Sequence, residues 1–275
     1  MEKNASPGRK RASTRPSARI SVIFARGSDR AVVFRRGPAK WTLVFLWDME
    51  TDEFFPGDWH WGRIYEDRCD LSPEGERLVY FANCYGHSSP DGFQCTWTAV
   101  STPPSLAPGV AWPLGDTWAG GGCFDDDGSL WLEHRHDTRH PNYDSTDLVV
   151  RLGSPPISRV ARDGWTITDN GLDATGFRQI RVRSLGRRNL ELVSAFRSFA
   201  EPWQYEVKDH ELVIRLDMDW ADVDRQGRLI GSKDGCLHEI TLKHDSYSCR
   251  MIADLNDFVP PKRRAPTWVR SPIDR

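Results

Sequence analysis

The chain has 275 residues, 39% of them hydrophobic and 28% charged, a balance typical of a folded protein with a sizeable core. Its net charge of −2 is uneven, because residues 1–19 carry +5, residues 262–275 carry +4, and the segment between them carries −11. An acidic body excludes a general nucleic-acid groove, which needs a basic surface, and leaves only the basic ends for phosphate contacts.

The chain also lacks the features of secreted and membrane proteins. No apolar run is long enough for a signal sequence or a membrane span, so we predict a cytoplasmic protein without membrane contact. The six cysteines show no Cys-x-x-Cys spacing, so we expect reduced thiols that are mostly buried. Cys84 and Cys95, and likewise Cys236 and Cys249, could face each other across hairpins, although cross-strand geometry seldom suits a bridge.

In chain order, residues 1–17 come first and are rich in Ser, Pro, Arg and Lys, which predicts a disordered basic tail. From residue 18 to residue 275 we predict one domain. Its first unit consists of four short strands, of which 20–24 and 31–34 form a hairpin.

A strand, a tight turn and a second strand then recur three times, at 69–80, 123–132 and 220–229. Asp and Gly serve these turns, since Asp bonds its own backbone and Gly allows a positive φ. Together with two weaker copies, the turn anchors are Asp29, Gly75, Gly128, Gly186 and Gly227, with spacings of 46, 53, 58 and 41 residues. Such a period, with four strands per unit, predicts an all-β propeller of five four-stranded blades.

This repeat leads to three further predictions about the path of the chain. Residues 148–152 and 157–161 are expected to form the outer strand pair of the third blade, and 165–176 a connection to the fourth. Trp268 matches the position that Trp118 and Trp220 hold before their hairpins, so we expect the C-terminus to close the ring beside strand 20–24.

The Ser-Pro-Glu-Gly-x-x-Leu-x-Tyr and Asp-x-x-Gly-x-Leu motifs resemble the inner hairpins of β-propeller repeats of the TolB, YWTD or NHL kind. The resemblance covers three of the five units well, and the Gly-His and Trp-Asp spacing of WD40 repeats is absent. It implies a propeller fold and identifies no single family and no activity.

Carboxylates on the inner strands are the first candidates for chemistry. Five-bladed propellers include glycoside hydrolases, which the architecture resembles in blade count and which use paired carboxylates in a central pocket. Asp70, Asp125, Asp222 and Asp219 occupy such positions. The alternative is hydrogen bonding within each blade, because a repeated position implies a repeated structural task.

A histidine-rich segment and an aromatic cluster supply two further candidates. His134 and His136 point to one side of an extended strand, and with His140 they could bind a divalent metal such as zinc; the alternative is a charged surface loop. No other cofactor is indicated. The candidate stacking platform for a sugar or peptide consists of Trp59, His60, Trp61 and Tyr65. Packing between blades is the alternative for aromatic residues at such positions.

These features support three functions. The first is a non-catalytic scaffold that binds a partner protein or peptide through loops 84–93, 133–146 and 164–178 on one face. The second is a hydrolase acting on a glycan or small polar substrate in the axial pocket, and the third is a lectin-like module. Fold alone does not decide among them, nor whether the protein is an enzyme.

Overall fold

The computed structural model describes residues 18–84, 95–143, 147–173, 176–186, 190–196, 203–208 and 212–262. They form five small, mainly antiparallel sheets arranged in a ring, which is a five-bladed β-propeller. The predicted fold class and blade number are therefore confirmed. The expected four strands per blade hold for blades 1 and 5, whereas blades 2 and 4 have five strands and blade 3 has three among the described residues.

Blade 1 is a regular antiparallel meander with both faces covered. Its strands are β1 (Arg19–Phe24), β2 (Arg30–Arg36), β3 (Trp41–Asp48) and β4 (Glu53–Trp61). β2 and β3 are almost continuously buried, because they lie in the middle of the sheet and apolar side chains point to both neighbouring blades.

In blade 2 the innermost strand is interrupted. The strands are β5 (Arg63–Ile64), β6 (Asp70–Leu71), β7 (Leu78–Asn83), β8 (Thr96–Ser101) and β9 (Pro108–Pro113). β5 and β6 both pair with β7, and the 3-10 helix Glu66–Arg68 lies between them. Gly62 begins this stretch at a φ of 150°, where a Cβ would lie 1.8 Å from the carbonyl oxygen of Asn83, so only glycine fits.

Blade 3 departs most from the predicted pattern. Its strands are β10 (Gly122–Phe124), β11 (Leu130–Leu132) and β12 (Val150–Leu152), and β12 runs parallel to β11. The predicted outer strand at 157–161 is wrong. Instead, the short helix α1 (Arg159–Arg162) begins there, because the Ser158 side chain accepts a hydrogen bond from the backbone N–H of Ala161.

Blade 4 begins earlier than the sequence suggested. Its strands are β13 (Trp165–Asp173), β14 (Gly176–Ser184), β15 (Glu191–Phe196), β16 (Gln204–Lys208) and β17 (Val213–Leu216). The predicted connection 165–176 is wrong, because most of it is β13, paired with β14 through a bulge between Ile167 and Asp169. β13 is mostly exposed, so it lacks the buried alternation by which strands are recognised.

Blade 5 is the most regular copy of the repeated hairpin. Its strands are β18 (Trp220–Val223), β19 (Leu229–Lys233), β20 (Cys236–Leu242) and β21 (Tyr247–Asp254). In the first turn the buried Asp224 accepts a hydrogen bond of 2.8 Å from the backbone N–H of Arg228, and Gly227 has a φ of 78°. Gly75 and Gly128 adopt nearly the same φ in blades 2 and 3, which confirms the predicted turn chemistry.

Two hydrophobic clusters cover the faces of blade 1. Ile23 packs with Tyr80 and Trp97 between blades 1 and 2. Phe45 packs with Leu237 between blades 1 and 5. The same sheet therefore contributes to two interfaces, which is how a single sheet buries both of its faces in a ring.

Two further clusters join blades 2 and 3 and blades 4 and 5. Trp112 packs with Phe124 at the first interface. Val207 packs with Leu229 at the second. Among the described residues, no such apolar cluster joins blades 3 and 4.

The ring closes between blades 5 and 1. The Ser232 hydroxyl donates a hydrogen bond of 2.8 Å to the backbone oxygen of Ile20, and Arg35 Nε donates one of 2.6 Å to the backbone oxygen of Leu255. Closure beside strand 20–24 is thus achieved by blade 5 itself. Trp268 and the predicted tail 1–17 lie outside the described residues. Within the described ranges, the helices lack the length and apolar character needed to cross a bilayer.

Arg162 belongs to α1, which lies between the strands of blades 3 and 4, and it binds residues of blades 2 and 3. Its guanidinium binds both carboxylate oxygens of Asp70 in blade 2, at 2.9 and 2.8 Å. It also donates to the carbonyl oxygen of Phe124 and the sulfur of Cys123 in blade 3, at 2.7 and 2.8 Å. This one side chain therefore fastens blades 2 and 3 to α1, which leads directly into blade 4.

We predict that Asp70→Asn lowers the free energy of unfolding by about 3 kcal/mol, because it removes the buried carboxylate of the pair and leaves the Arg162 cation with Asp163 alone. Asp70 is 1% exposed, and it also accepts a hydrogen bond of 2.7 Å from the backbone N–H of Phe124. Urea unfolding of the full chain measures the loss. Asp125→Asn is the matched control, because Asp125 pairs with Arg151 and its side chain is 45% exposed. Its loss should stay below about 1 kcal/mol, and equal losses would contradict the prediction.

Candidate functional site

A cavity of about 620 Å³ lies on the inner side of the ring. The first strands of blades 1 and 5 face it from one side. The 3-10 helix of blade 2, helix α1 and the sheet of blade 4 face it from the other. We call this space the axial cavity. It is built by elements from every part of the ring except the blade 3 strands, whose place is taken by α1.

Charged residues dominate the wall of the axial cavity. Its arginines are Arg19, Arg26, Arg36, Arg63, Arg159, Arg162, Arg181, Arg183 and Arg225. Its carboxylates are Glu66, Asp67, Asp163, Asp219 and Asp222. Nine cations against five anions leave an excess of four positive charges, in a chain whose segment between the basic ends carries −11. The wall is therefore richer in cations than in anions, although three of its arginines pair with carboxylates outside it.

Four of these arginines are held by carboxylates. Arg162 binds Asp70 and Asp163, and Arg183 binds Asp222. Arg26 pairs with Asp126, and Arg225 lies 3.8 Å from Asp29. The positive charges of these four arginines are thus largely neutralised by carboxylates of the protein itself.

The other five arginines form no ion pair with any carboxylate among the described residues; they are Arg19, Arg36, Arg63, Arg159 and Arg181. Arginine presents five N–H donors in a planar fork and stays charged at any physiological pH. A set of such donors around one cavity is suited to carboxylate or phosphate groups.

Arg181 illustrates how the sheet presents such a cation. It lies on β14, opposite Ser194 of β15, and these residues and Tyr205 of β16 line the cavity in one row across the sheet. Its guanidinium lies 4.6 Å from the centre of the Trp203 ring, and its Nε donates to the Gln179 side chain at 2.5 Å. Burial lowers the pKa of Arg181, so the neighbouring protein only partly compensates its charge.

Three cavity carboxylates have raised pKa values. Burial raises the pKa of Glu66, of Asp163 and of Asp222, although arginines beside each of them act in the opposite direction. The three come from the 3-10 helix of blade 2, the end of α1 and β18 of blade 5. A carboxyl group with a raised pKa can act as a general acid, so the cavity holds groups of the kind that acid–base chemistry needs.

Of the predicted aspartates, Asp222 and Asp219 line the cavity, whereas Asp70 and Asp125 do not appear in its wall. Asp222 accepts hydrogen bonds from Trp165 Nε1 at 3.3 Å and from the Val223 backbone at 2.7 Å, besides its ion pair. Asp70 lies behind the wall, bound to Arg162. Asp125 sits in the blade 3 hairpin turn, where it accepts from Trp131 and Arg151.

The three candidate metal ligands have separate surroundings. His134 is buried and its Nε2 lies 2.8 Å from the Thr98 hydroxyl; His140 is buried, and its Nδ1 accepts from the Asn142 backbone N–H at 3.3 Å. His136 is exposed. Within the described residues, no group of three or more His, Cys, Asp and Glu could hold a metal ion. The structure therefore lends no support to the predicted metal site.

The predicted stacking platform is divided between two faces. Trp59 and Trp61 pack their edges on Trp41, with ring centres 6.0 and 5.0 Å apart. His60 points to the opposite face, where it is 1% exposed and its Nε2 lies 3.0 Å from the Asn83 carbonyl oxygen. Tyr65 lies in blade 2, packed on Phe81 at 5.0 Å. Packing accounts for these aromatic contacts, whereas Trp165, Trp203 and Trp220 line the cavity.

Trp118, which precedes the blade 3 hairpin in the sequence, is 92% exposed, although packing between blades was the alternative for aromatic residues at such positions. The loop predicted at 164–178 is mostly strand, as described above. Most of loop 84–93 and the end of loop 133–146 lie outside the described residues, so the structure does not test them as a binding face.

The cavity arginines were missed by sequence reasoning because they belong to no motif. They are spread from residue 19 to residue 225, seven of them on five separate elements and the other two, Arg26 and Arg225, in turns. One local signal was present: Arg181 and Arg183 alternate with apolar residues on β14, so they had to share one face of a strand inside the ring.

The comparisons with known proteins identify no family. No family model matches the chain, and no curated protein matches it. An uncharacterized protein from Listeria monocytogenes EGD-e has 11% identity and a TM-score of 0.33, over 90% of this chain and 85% of that chain. A structure from a study of two prolyl endopeptidases has 12% identity and a TM-score of 0.31, over 80% of this chain and 33% of that chain. The function must be argued from the site.

The buried histidine predicts a pH dependence of stability. Burial lowers the pKa of His60 to about 4, from about 6.5 in an unfolded chain. The unfolded state therefore binds an additional proton between these values, and the free energy of unfolding falls as the pH falls from about 6.5 to about 4. His60 contributes up to about 3 kcal/mol of this loss at the lower limit.

Urea unfolding at pH 7, 6, 5 and 4 measures this dependence. His60→Gln should lose part of the slope between pH 6.5 and 4, whereas His136→Gln, at an exposed position, should retain the wild-type profile. A His60→Gln variant with an unchanged slope would contradict the buried neutral state of His60.

Proposed function

We propose that the protein is a binding propeller whose axial cavity takes a small molecule with carboxylate or phosphate groups. The observation that carries the proposal is the set of five cavity arginines without an ion pair among the described residues. A protein gains little stability from placing like charges around one cavity, so the binding of an anionic ligand would account for the arrangement.

The size and lining of the cavity favour a small ligand. A volume of about 620 Å³ falls in the range of small-molecule sites, which is roughly 300–1,000 Å³. Trp165, Trp203 and Trp220 add flat apolar surfaces to the charged wall, and such surfaces stack on sugar and other rings. A phosphorylated or carboxylated sugar combines both features.

A partner-protein scaffold remains a prediction that the fold allows. Its loops have to bind the partner on one face, and much of that surface lies outside the described residues. We give it second place because the axial cavity offers a defined site with a defined charge.

Calorimetric titration of the full chain tests the proposal. Glucose 6-phosphate, glucuronate, citrate and inorganic phosphate are titrated at constant ionic strength, with glucose as the neutral control. We expect binding of at least one anion and none of glucose. Arg181→Gln should weaken that affinity about tenfold or more, because it removes charge-assisted hydrogen bonds.

The matched control is Arg215→Gln in the same blade. Arg215 lies on β17, and its side chain is 87% exposed and outside the cavity wall. It should leave the affinity unchanged. Equal weakening by both variants would indicate non-specific attraction, and equal binding of glucose and its phosphate would overturn the proposal.

A second candidate, hydrolysis of an acidic glycan, is favoured by one specific observation. The carboxylates of Glu66, Asp163 and Asp222 reach the same cavity from three different elements, and Glu66 forms no ion pair within the described residues. Glycosidases place two carboxyl groups on either side of the bond they cleave. Glu66 is the candidate general acid, because Asp163 and Asp222 already bind arginines.

Incubation with a panel of acidic oligosaccharides, followed by reducing-end assay, tests this candidate. If hydrolysis occurs, Glu66→Gln should lower its rate by about a hundredfold or more, as loss of a general acid does. Asp217→Asn is the control, because the Asp217 side chain is 82% exposed and pairs with Lys233 outside the cavity wall. Binding without any turnover would leave the first proposal standing and remove the second.

A further inference from the structure

Two cysteines of blade 2 occupy directly opposite positions at one end of a strand pair. β7 and β8 are antiparallel, and their last paired residues are Asn83 and Thr96. The next residue on each side is a cysteine, and the backbone N–H of Cys84 donates to the carbonyl oxygen of Cys95 at 3.0 Å. The ladder therefore continues by one pair beyond the strands.

Opposite residues in an antiparallel pair place their side chains on the same face of the sheet. One face of blade 2 packs in the cluster between blades 1 and 2. Cys84 lies on this face, after Tyr80 and Ala82 of β7, and so does Trp97 of β8. By alternation Cys95 shares this face with Trp97. Both thiols thus lie on one side of the blade, and burial and the neighbouring Cys95 raise the pKa of Cys84.

The spacing suits a covalent bond. Hydrogen-bonded antiparallel pairs have Cα atoms about 5.5 Å apart. Disulfides span about 4.4–6.8 Å between Cα atoms, with the commonest values close to that distance. Cys84 is half-buried and Cys95 is exposed, so an oxidant can reach one of the two sulfurs.

We propose that Cys84 and Cys95 form a reversible disulfide when the protein meets a peroxide. The Cys95 sulfur attacks the peroxide, the O–O bond breaks, and a sulfenic acid and one water molecule form. The Cys84 thiol then displaces a second water molecule as the S–S bond forms. Two thiols are oxidised, one peroxide is reduced to two waters, and a dithiol reductant restores the starting state.

One contact competes with this bond. The Cys95 sulfur lies 3.5 Å from the carbonyl oxygen of Gly115, at the end of blade 2. A thiol is a weak donor, so rotation about the Cα–Cβ bond of Cys95 releases this contact at small cost.

The other four cysteines lack this arrangement. Cys236 lies opposite Asp254, and Cys249 lies opposite Ile240, so these two are offset along β20 and β21. Cys69 and Cys123 are buried, and their sulfurs contact the Tyr65 carbonyl and Arg162. The chain thus supplies an internal control, the offset pair Cys236 and Cys249.

Peptide mapping of the full chain tests the proposal. The reduced protein is treated with hydrogen peroxide, alkylated and cleaved with chymotrypsin, which can cut after Tyr85 and Phe93. Trypsin is unsuitable, because no Lys or Arg lies between residues 84 and 95. We expect a linked pair of peptides that carry Cys84 and Cys95, lighter by two hydrogen atoms than the sum of the free peptides, and absent after dithiothreitol.

Three variants separate the proposal from incidental oxidation. Cys95→Ser should abolish the link and leave Cys84 open to alkylation, whereas Cys84→Ser should let Cys95 proceed to the sulfinic acid. Cys236→Ser should not change the yield of the 84–95 link. The link should form at least tenfold faster in native protein than in urea, since folding holds the thiols together. Both cysteines remaining alkylatable after peroxide, or equal rates in urea, would overturn the proposal.

Discussion

One guanidinium, that of Arg162, fixes the helix between blades 3 and 4 to blades 2 and 3. Each blade must cover two faces, and in the described part of the chain four of the five seams do so with apolar clusters. At the fifth, Arg162 holds Asp70, Asp163 and the backbone of Phe124. The hydrogen bonds of an arginine are directional, whereas apolar packing depends mainly on the buried area. The Arg162 contacts therefore form only in the arrangement of blades that satisfies all of its partners.

The same short helix also builds the axial cavity. Arg162 lies at the end of α1, and Arg159 one turn earlier lines the cavity. Fixing α1 to blades 2 and 3 and presenting a cation to the axis are therefore coupled through four residues. Blade 3 has only three described strands, none of which lines the cavity, whereas α1 does.

The fold was predictable where local chemistry repeats. The turns at Gly75, Gly128 and Gly227 require a positive φ, and the Asp-x-x-Gly and Ser-Pro-Glu-Gly motifs indicate this requirement in the sequence. Prediction failed at 157–161 and 165–176, where tertiary context decides. An exposed edge strand such as β13 has no buried alternation, and the first turn of α1 depends on a single capping serine.

The candidate site was harder to predict, because its residues come from distant segments that only the folded ring brings together. Asp222 was found because it precedes a recognisable turn, whereas Arg36, Arg63 and Arg181 stand in unrelated sequences and meet only across the axis. The histidines at 134, 136 and 140 show the converse: they are close in sequence, yet His134 and His140 are buried with different partners and His136 is exposed. Propellers place side chains of distant segments around one axis, so residues that meet there need not be close in sequence.

The cavity charges conflict with one another in the ligand-free protein. Nine arginines repel each other, and the five carboxylates of the wall, three of them with raised pKa values, compensate them in part, together with Asp29, Asp70 and Asp126 outside the wall. The positive charge that is left uncompensated works against folding, and it is tolerated because the apolar seams provide stability elsewhere. Conflicts of this kind occur where a fold serves a site. An anion that binds only the folded ring removes part of the repulsion, so the ligand and the ring would stabilise each other by mass action.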